Sequence, residues 1–374
     1  MTSVEQEPQH SIGAESLAIY LALGTGALGA AAGAVIGFIP QLPLYGERSL
    51  GVFAAIGAGV VSAGVAGSGY WRARNDPGQR WRAELSPMVS RINVASVVLV
   101  HAVLAVLAAL VAFLVLDLSF VGLEVDPFWS ATLMGVTVGL TAYLVHLSVT
   151  SLTTRHMVTL LLAFVGVSAV TAMVTAPDKE WWKVHFSHLG TFWSLSSLMF
   201  NGALVVGGLL VTTFAVYVAN DMRPLVAGGV LRSKGSPRAI SLLFVLMGSL
   251  LAGVGLVPVS LSLTVHNLCA FGVASMYLLL LVAGRWILRG MPRAYFVAAW
   301  AFLAATLLAV FLYASVDLLS LTAFEIVVFA LVFGWISVFI RFLGVANQEI
   351  APRAPRRPRQ LPWTGARDLP PRPR

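Results

Sequence analysis

Charged side chains are scarce in this chain: Asp, Glu, Lys and Arg make up 11% of the 374 residues, against the roughly one quarter typical of a soluble surface. That deficit excludes a water-soluble globular domain, because 58% apolar side chains cannot all be screened from water. Cysteine is nearly absent too. The single Cys269 lies inside an apolar run, so one chain can build neither a disulfide framework nor a Cys-based metal site. Motifs of soluble enzymes are missing: there is no P-loop, no nucleophile elbow and no HExxH, so no catalytic residue is assigned and an enzymatic role has no positive signal. The opening residues MTSVEQEPQHSIGAE lack the basic start and small-residue cleavage site of a secretory signal. We expect them to remain as a tail, with the first apolar run inserting the chain.

What the chain does have is apolar runs of spanning length, at about 16–39, 50–70, 92–116, 128–150, 157–176, 195–219, 239–258, 263–284, 294–314 and 321–343. Each covers the roughly 30 Å of a bilayer's hydrocarbon at about 1.5 Å per residue. Inside hydrocarbon every backbone N–H and C=O must be satisfied within its own segment, so unbroken helices are required. The sequence therefore predicts an all-α, polytopic transmembrane bundle of about ten helices.

Basic residues set the orientation. Arg72, Arg74, Arg80, Arg82 and Arg91, then Arg155, then the 223–238 and 285–293 groups, and finally Arg341 and the tail fall on one side, 21 of the 24 in all. Arg48, Lys179 and Lys183 fall on the other, together with Glu47, Asp117, Glu124, Asp126, Asp178, Glu180 and Asp317. The positive-inside rule places the first side, and both termini, in the cytoplasm. Because the basic residues flank spans in alternation, the net charge of +8 is a topology signature and not a nucleic-acid footprint. Trp71, Trp81 and Trp286 mark the inner edge of the aromatic belt, and Trp129, Trp181, Trp182 and Trp193 the outer edge.

Gly24-Thr25-Gly26-Ala27-Leu28-Gly29 matches the dinucleotide pattern G-x-G-x-x-G, which functions only between a strand and a helix. Here it lies mid-span, and the nucleotide reading fails. Gly29, Gly33 and Gly37 instead recur every four residues, presenting a smooth helix face for close approach of a neighbour. Gly57, Gly64 and Gly67 suggest the same use in the second span.

The connection 178–190 is the most informative stretch. Apolar Trp182, Val184 and Phe186 alternate with polar Lys183, His185 and Ser187, which suggests a short extended element lying at the outer headgroup level. His185 and His188, three residues apart, could join His266 near the outer start of the eighth span as metal ligands. Glu325 is the acid placed well inside an apolar span, and Asp317 precedes it in the last outer connection. Ionisable groups in membrane helices are costly and mark function, so these residues form a candidate outer cluster. The competing reading is that the acids reach interfacial water and the histidines bond loop backbone. His101 and His146, in other spans, are expected to make core hydrogen bonds.

Ser187-His188-Leu189-Gly190, Phe200-Asn201, Gly248 through Gly253-x-Gly255-Leu256-x-Pro258, and His266-Asn267 together resemble the bacterial and archaeal family catalogued as domain of unknown function 998. The family pattern has an acidic residue where this chain has His188. The resemblance covers about residues 157–344. It implies a six-helix membrane module, distantly similar to damage-regulated autophagy modulator and Sfk-type proteins, and an association with membrane lipids. With the apolar runs and the composition of the ends, the chain divides into a cytoplasmic N-terminal tail (1–15), a four-helix unit (16–156) outside the resemblance, the six-helix module (157–344) and a basic Pro/Arg-rich tail (345–374) expected to be disordered. A division into two five-helix repeats finds no echo between the halves.

Three functions are consistent with these features in a bacterial plasma membrane. The first is binding of lipid or another membrane protein through the outer loop, using Trp181, Trp182, His185, Phe186, Ser187 and His188 with Asn201, His266 and Glu325 behind them. The second is secondary transport coupled through Glu325 and Asp317. The third is metal-dependent lipid hydrolysis using His185, His188 and His266. The preferred first reading needs no cofactor. The orientation is directly testable in cells carrying a Cys269→Ser background: a cysteine introduced within 178–190 should react with a membrane-impermeant maleimide, and one within 71–91 should react only after permeabilisation.

Overall fold

The computed structural model describes residues 12–350, apart from Pro77 and Glu124. The expected tails lie largely outside that range, at 1–11 and 351–374. Among the described residues the fold consists of ten α-helices, each long and apolar enough to cross a membrane, with three short 3-10 turns and no strand. They are α1 (Ile12–Ile36), α2 (Leu50–Ala73), α3 (Pro87–Ser119), α4 (Pro127–Thr150), α5 (Thr154–Val174), α6 (Leu195–Ala227), α7 (Ser236–Leu256), α8 (Leu263–Ile287), α9 (Arg293–Ala314) and α10 (Leu321–Ile350). This is a multi-pass membrane protein.

The helices start where the chain supplies a cap. The side chains of Ser49, Ser86, Asp126, Thr153, Ser194 and Ser262 each accept a hydrogen bond from a backbone N–H of the following first turn. In α3 and α4 the cap is followed by Pro at the first helical position, where its missing N–H costs nothing. Two helices outrun their apolar cores. Helix α6 continues past the apolar segment through Pro224 to Ala227, and α10 runs to Ile350, into the segment expected to be tail. Side chains hold these extensions: Thr154 donates to the Asp221 carboxylate, and Asn347 Nδ2 donates to the Asp221 carbonyl at 3.0 Å.

Hydrogen bonds between connections sort them into two ends. At one end Gln79 Nε2 and Arg82 Nη2 both donate to the Leu152 carbonyl, at 3.1 and 3.3 Å, and Arg232 N–H donates to Arg289 O at 3.1 Å. At the other, Val125 N–H donates to Leu42 O at 3.1 Å, and Phe186 N–H donates to Glu325. The arginine-rich connections thus share one end. One of those arginines is not a surface charge: Arg82 is buried, its guanidinium 4.6 Å from the Tyr70 ring and 5.2 Å from that of Tyr217. Cation–π contact there stands in for hydration.

Small residues set the helix–helix distances. A Cβ on Gly33 would meet the Ser130 carbonyl and come within 2.9 Å of Ala131 Cα, and one on Gly29 would lie 3.0 Å from Met134 O. The glycine face of α1 therefore packs backbone to backbone on α4. Gly57 and Gly67 face side chains of Val138 and Val98, but Gly64 has no neighbour within 4 Å and serves no such contact. Between α6 and α7 the same device recurs: a Cβ on Gly248 would sit 2.6 Å from Gly208 O, and one on Gly255 would meet Asn201 O. One apolar cluster runs from Val65 on α2 to Ala346 on α10, so α1–α4 and α5–α10 share a core. Ser96 on α3 and Thr213 on α6 are joined through their hydroxyls at 2.7 Å within it.

Gly33→Ala should lower the melting temperature in detergent by the equivalent of about 1–3 kcal/mol, as expected for overpacking against backbone. Gly64→Ala, adding a methyl to open space, should leave it unchanged or raise it by up to about 1 kcal/mol from helix propensity.

Candidate functional site

The 175–194 connection closes over α6 and α10 without forming a strand. Its alternating pattern would need a partner strand, and none adjoins it among the described residues. The backbone instead bonds to itself in 3-10 turns at Trp181–Lys183 and Phe186–Gly190. Lys183 N–H reaches Glu180 O at 2.8 Å, and His188 N–H reaches His185 O at 3.0 Å. The expected extended element is thus replaced by two tight turns.

Several side chains fasten this connection. Ser196 Oγ lies 2.8 Å from Ala172 O and 3.1 Å from Leu189 O, and Asn201 Nδ2 donates to Gly190 O at 2.9 Å. A Cβ on Gly190 would collide with the Asn201 side chain, which explains the glycine in the Ser187-His188-Leu189-Gly190 motif. His188 Nε2 sits 3.2 Å from Asp178 Oδ2, and its ring meets those of His185 and Phe192 edge to face at 5.6 and 5.3 Å. Asn201 and His188 are fasteners of the loop.

Beneath the connection lies a cavity of about 410 Å³, within the usual range of small-molecule sites. Phe186 and Ser187 form its roof, α6, α7, α8 and α10 its walls, and Tyr313 of α9 its edge. On α10 the lining runs from Leu321 to Ile336, about 22 Å along the helix at about 1.5 Å per residue, so the space is long and narrow. Its polar groups gather at the roof end: Ser187, His266, Asn267, Tyr313 and Glu325. Deeper, Val211, Met247, Leu251, Val332 and Phe333 line it with hydrocarbon. Asn267, Ala270 and Phe271 of α8 and Leu321 of α10 line the cavity and are themselves exposed, so its wall is not sealed along these residues. An aromatic layer closes the bottom: Trp335 stacks on Phe339 at 5.5 Å and on Phe244 at 6.1 Å, with Tyr277 against it at 5.9 Å.

Two features hold the roof end. The Glu325 carboxylate accepts the Phe186 N–H, tying α10 to the start of the second 3-10 turn. His266 is buried, and its Nδ1 lies 3.0 Å from Val257 O. A carbonyl can only accept, so Nδ1 carries the proton and Nε2 is the acceptor of the neutral ring.

The residues expected from sequence therefore separate. Phe186, Ser187, His266 and Glu325 line one cavity, whereas Trp181, Trp182, His185, His188 and Asn201 do not. Trp182 is exposed on the outside of the loop beside Lys183, and Trp181 packs on Phe186 with ring centres 6.3 Å apart. The proposed metal triad does not assemble. Among the described residues no three His, Cys, Asp or Glu side chains converge to hold an ion: His266 faces the Val257 carbonyl, His185 faces Ser187 Oγ at 3.0 Å, and His188 faces Asp178. The proposed coupling pair does not assemble either, since Asp317 is exposed and lies outside the cavity lining. Asn267, Phe271, Tyr313 and Phe324 were not proposed as site residues from the sequence. The available signal was the stripe Leu321, Glu325, Val328, Val332 and Ile336, spaced three and four apart on one face of α10.

Partial burial holds the His185 imidazole below the ordinary histidine value, and the proximity of the His188 and His266 rings acts in the same direction. A histidine depressed in the folded state favours folding when neutral. That stability is complete above the ordinary value and is lost as pH falls through the depressed one. Ring-proton chemical shifts should show His185 titrating lower than a free histidine, and His185→Gln should reduce the loss of thermal stability on acidification.

No family model, curated protein or solved structure matches the chain.

Proposed function

We propose that the protein binds a membrane amphiphile, one hydrocarbon chain deep, in the cavity walled by α6, α7, α8 and α10. The observation that carries this reading is the distribution of polarity along one narrow space: five polar side chains at the roof end, and only hydrocarbon and aromatic rings deeper in. A soluble polar substrate would leave the deep half unsatisfied. An acyl chain fills it, and the unsealed wall along α8 and α10 lets that chain enter from the bilayer without leaving hydrocarbon. The walls of the cavity fall entirely within residues 157–344, the part that resembles the domain 998 family, whose distant eukaryotic relatives suggest an association with membrane lipids.

With the arginine-rich end assigned to the cytoplasm by the positive-inside rule, the cavity's polar roof faces the outer leaflet of a plasma membrane. The exposed Trp182 and Trp193 then lie at the outer interface, where their rings favour the headgroup level. The site is thus a pocket under the connection, with the connection acting as its roof. Binding does not use the outward face of the loop.

Ala274→Phe places a ring in the middle of the cavity wall and should reduce co-purifying lipid, measured by extraction and mass spectrometry, by about tenfold relative to wild type. The same substitution on the lipid-facing side of α8, at Ser275, should leave lipid content unchanged. Equal lipid content in all three proteins would rule out the cavity as the binding site.

A further inference from the structure

The roof end of the cavity has a consistent chemical sign, and from it we infer that the bound amphiphile carries a primary amine headgroup. This inference rests on the reading of the cavity as an amphiphile site. Glu325 is the acid among the lining residues, and no Lys or Arg lines the cavity. Its carboxylate receives one N–H, that of Phe186. His266, with Nδ1 committed to the Val257 carbonyl, offers an acceptor at Nε2. Ser187 and Tyr313 add hydroxyls that can accept as well as donate, and Asn267 adds an amide.

The loop's cations are engaged elsewhere. Lys183 pairs with Glu180 and lies 5.5 Å from the Trp182 ring, and Lys179 Nζ lies 3.4 Å from Val174 O. A carboxylate left without a cation in an apolar cavity is costly, because little water remains to solvate it. A primary ammonium brings one positive charge and three N–H donors, which matches a carboxylate and an imidazole acceptor. An anionic headgroup would be repelled by Glu325 and find no Lys or Arg in the lining to pair with. A quaternary ammonium would bring the charge without any donor, and an alcohol a donor without the charge.

The test compares an alkylamine, an alkanol, an alkanoate and an alkyltrimethylammonium of equal chain length, by calorimetry on the full-length protein in phosphatidylglycerol nanodiscs. The alkylamine should bind about tenfold more tightly than the alkanol or the quaternary amine, and the alkanoate most weakly. Glu325→Gln keeps an acceptor for the Phe186 N–H, so the roof should stay closed. It should abolish the preference for the amine while retaining alkanol binding. Equal binding of amine, alcohol and quaternary amine to wild type, or an unchanged preference in Glu325→Gln, would overturn the headgroup assignment while leaving the cavity intact. Failure of all four probes to bind, or equal binding to Ala274→Phe, would remove the amphiphile reading itself. In a second arm, native mass spectrometry from mixed phosphatidylethanolamine and phosphatidylglycerol distinguishes sources. Enrichment of phosphatidylethanolamine assigns the amine to a membrane lipid, and alkylamine binding without that enrichment assigns it to a soluble amphiphile.

Discussion

Every feature of this structure descends from the need of each backbone N–H and C=O to find its partner within its own helix once water is gone. That requirement makes the spans regular cylinders, so the helices cannot adjust to one another through backbone irregularity. They adjust through side-chain size instead. Where small residues face each other, as at Gly33 against Ser130 and Gly208 against Gly248, axes close until backbones touch. Where larger side chains of α6, α7, α8 and α10 face one another beneath the loop, a cavity remains among them.

The cavity persists because its two ends are braced by different means. At the bottom, Phe244, Tyr277, Trp335 and Phe339 fill the bundle with rings too large to collapse inward. At the top, the connection is fastened by polar bonds from Asn201, Ser196 and Glu325, each reaching backbone groups that would otherwise be stranded away from water. Glu325 has two roles. It fixes the position of Phe186 in the roof and places a carboxylate inside an otherwise apolar space. A carboxylate serving only as a staple could have been an amide at lower desolvation cost, which is why its charge bears on ligand choice.

Histidine was the least reliable guide to function. His185, His188 and His266 cluster near one connection, yet each uses a ring nitrogen on a nearby partner: Ser187, Asp178 and the Val257 carbonyl. His185 caps the second 3-10 turn and His188 lies within it, which brings their rings within 5.6 Å, but each ring turns a nitrogen to a different neighbour instead of to a common centre. Of the three, His266 enters the cavity wall, because α8 rather than the loop carries it. A comparable mismatch occurs at the other end, where Arg82 sits among the topology-setting cations in sequence but is stacked between tyrosines in the bundle.

The order of residues by itself determined the all-helical class, the ten spans and the glycine face of α1, because these follow from local rules: span length, backbone satisfaction and a four-residue repeat. It also marked Phe186, Ser187, His266 and Glu325, since polar groups beside or within apolar spans stand out against their surroundings. Only the tertiary structure decided that α4 is the partner of that glycine face, that the 178–190 stretch coils into turns, and that α6, α7, α8 and α10 enclose a space. Partner choice and enclosed volume depend on side chains far apart in the chain, and no local period records which of several apolar faces will meet.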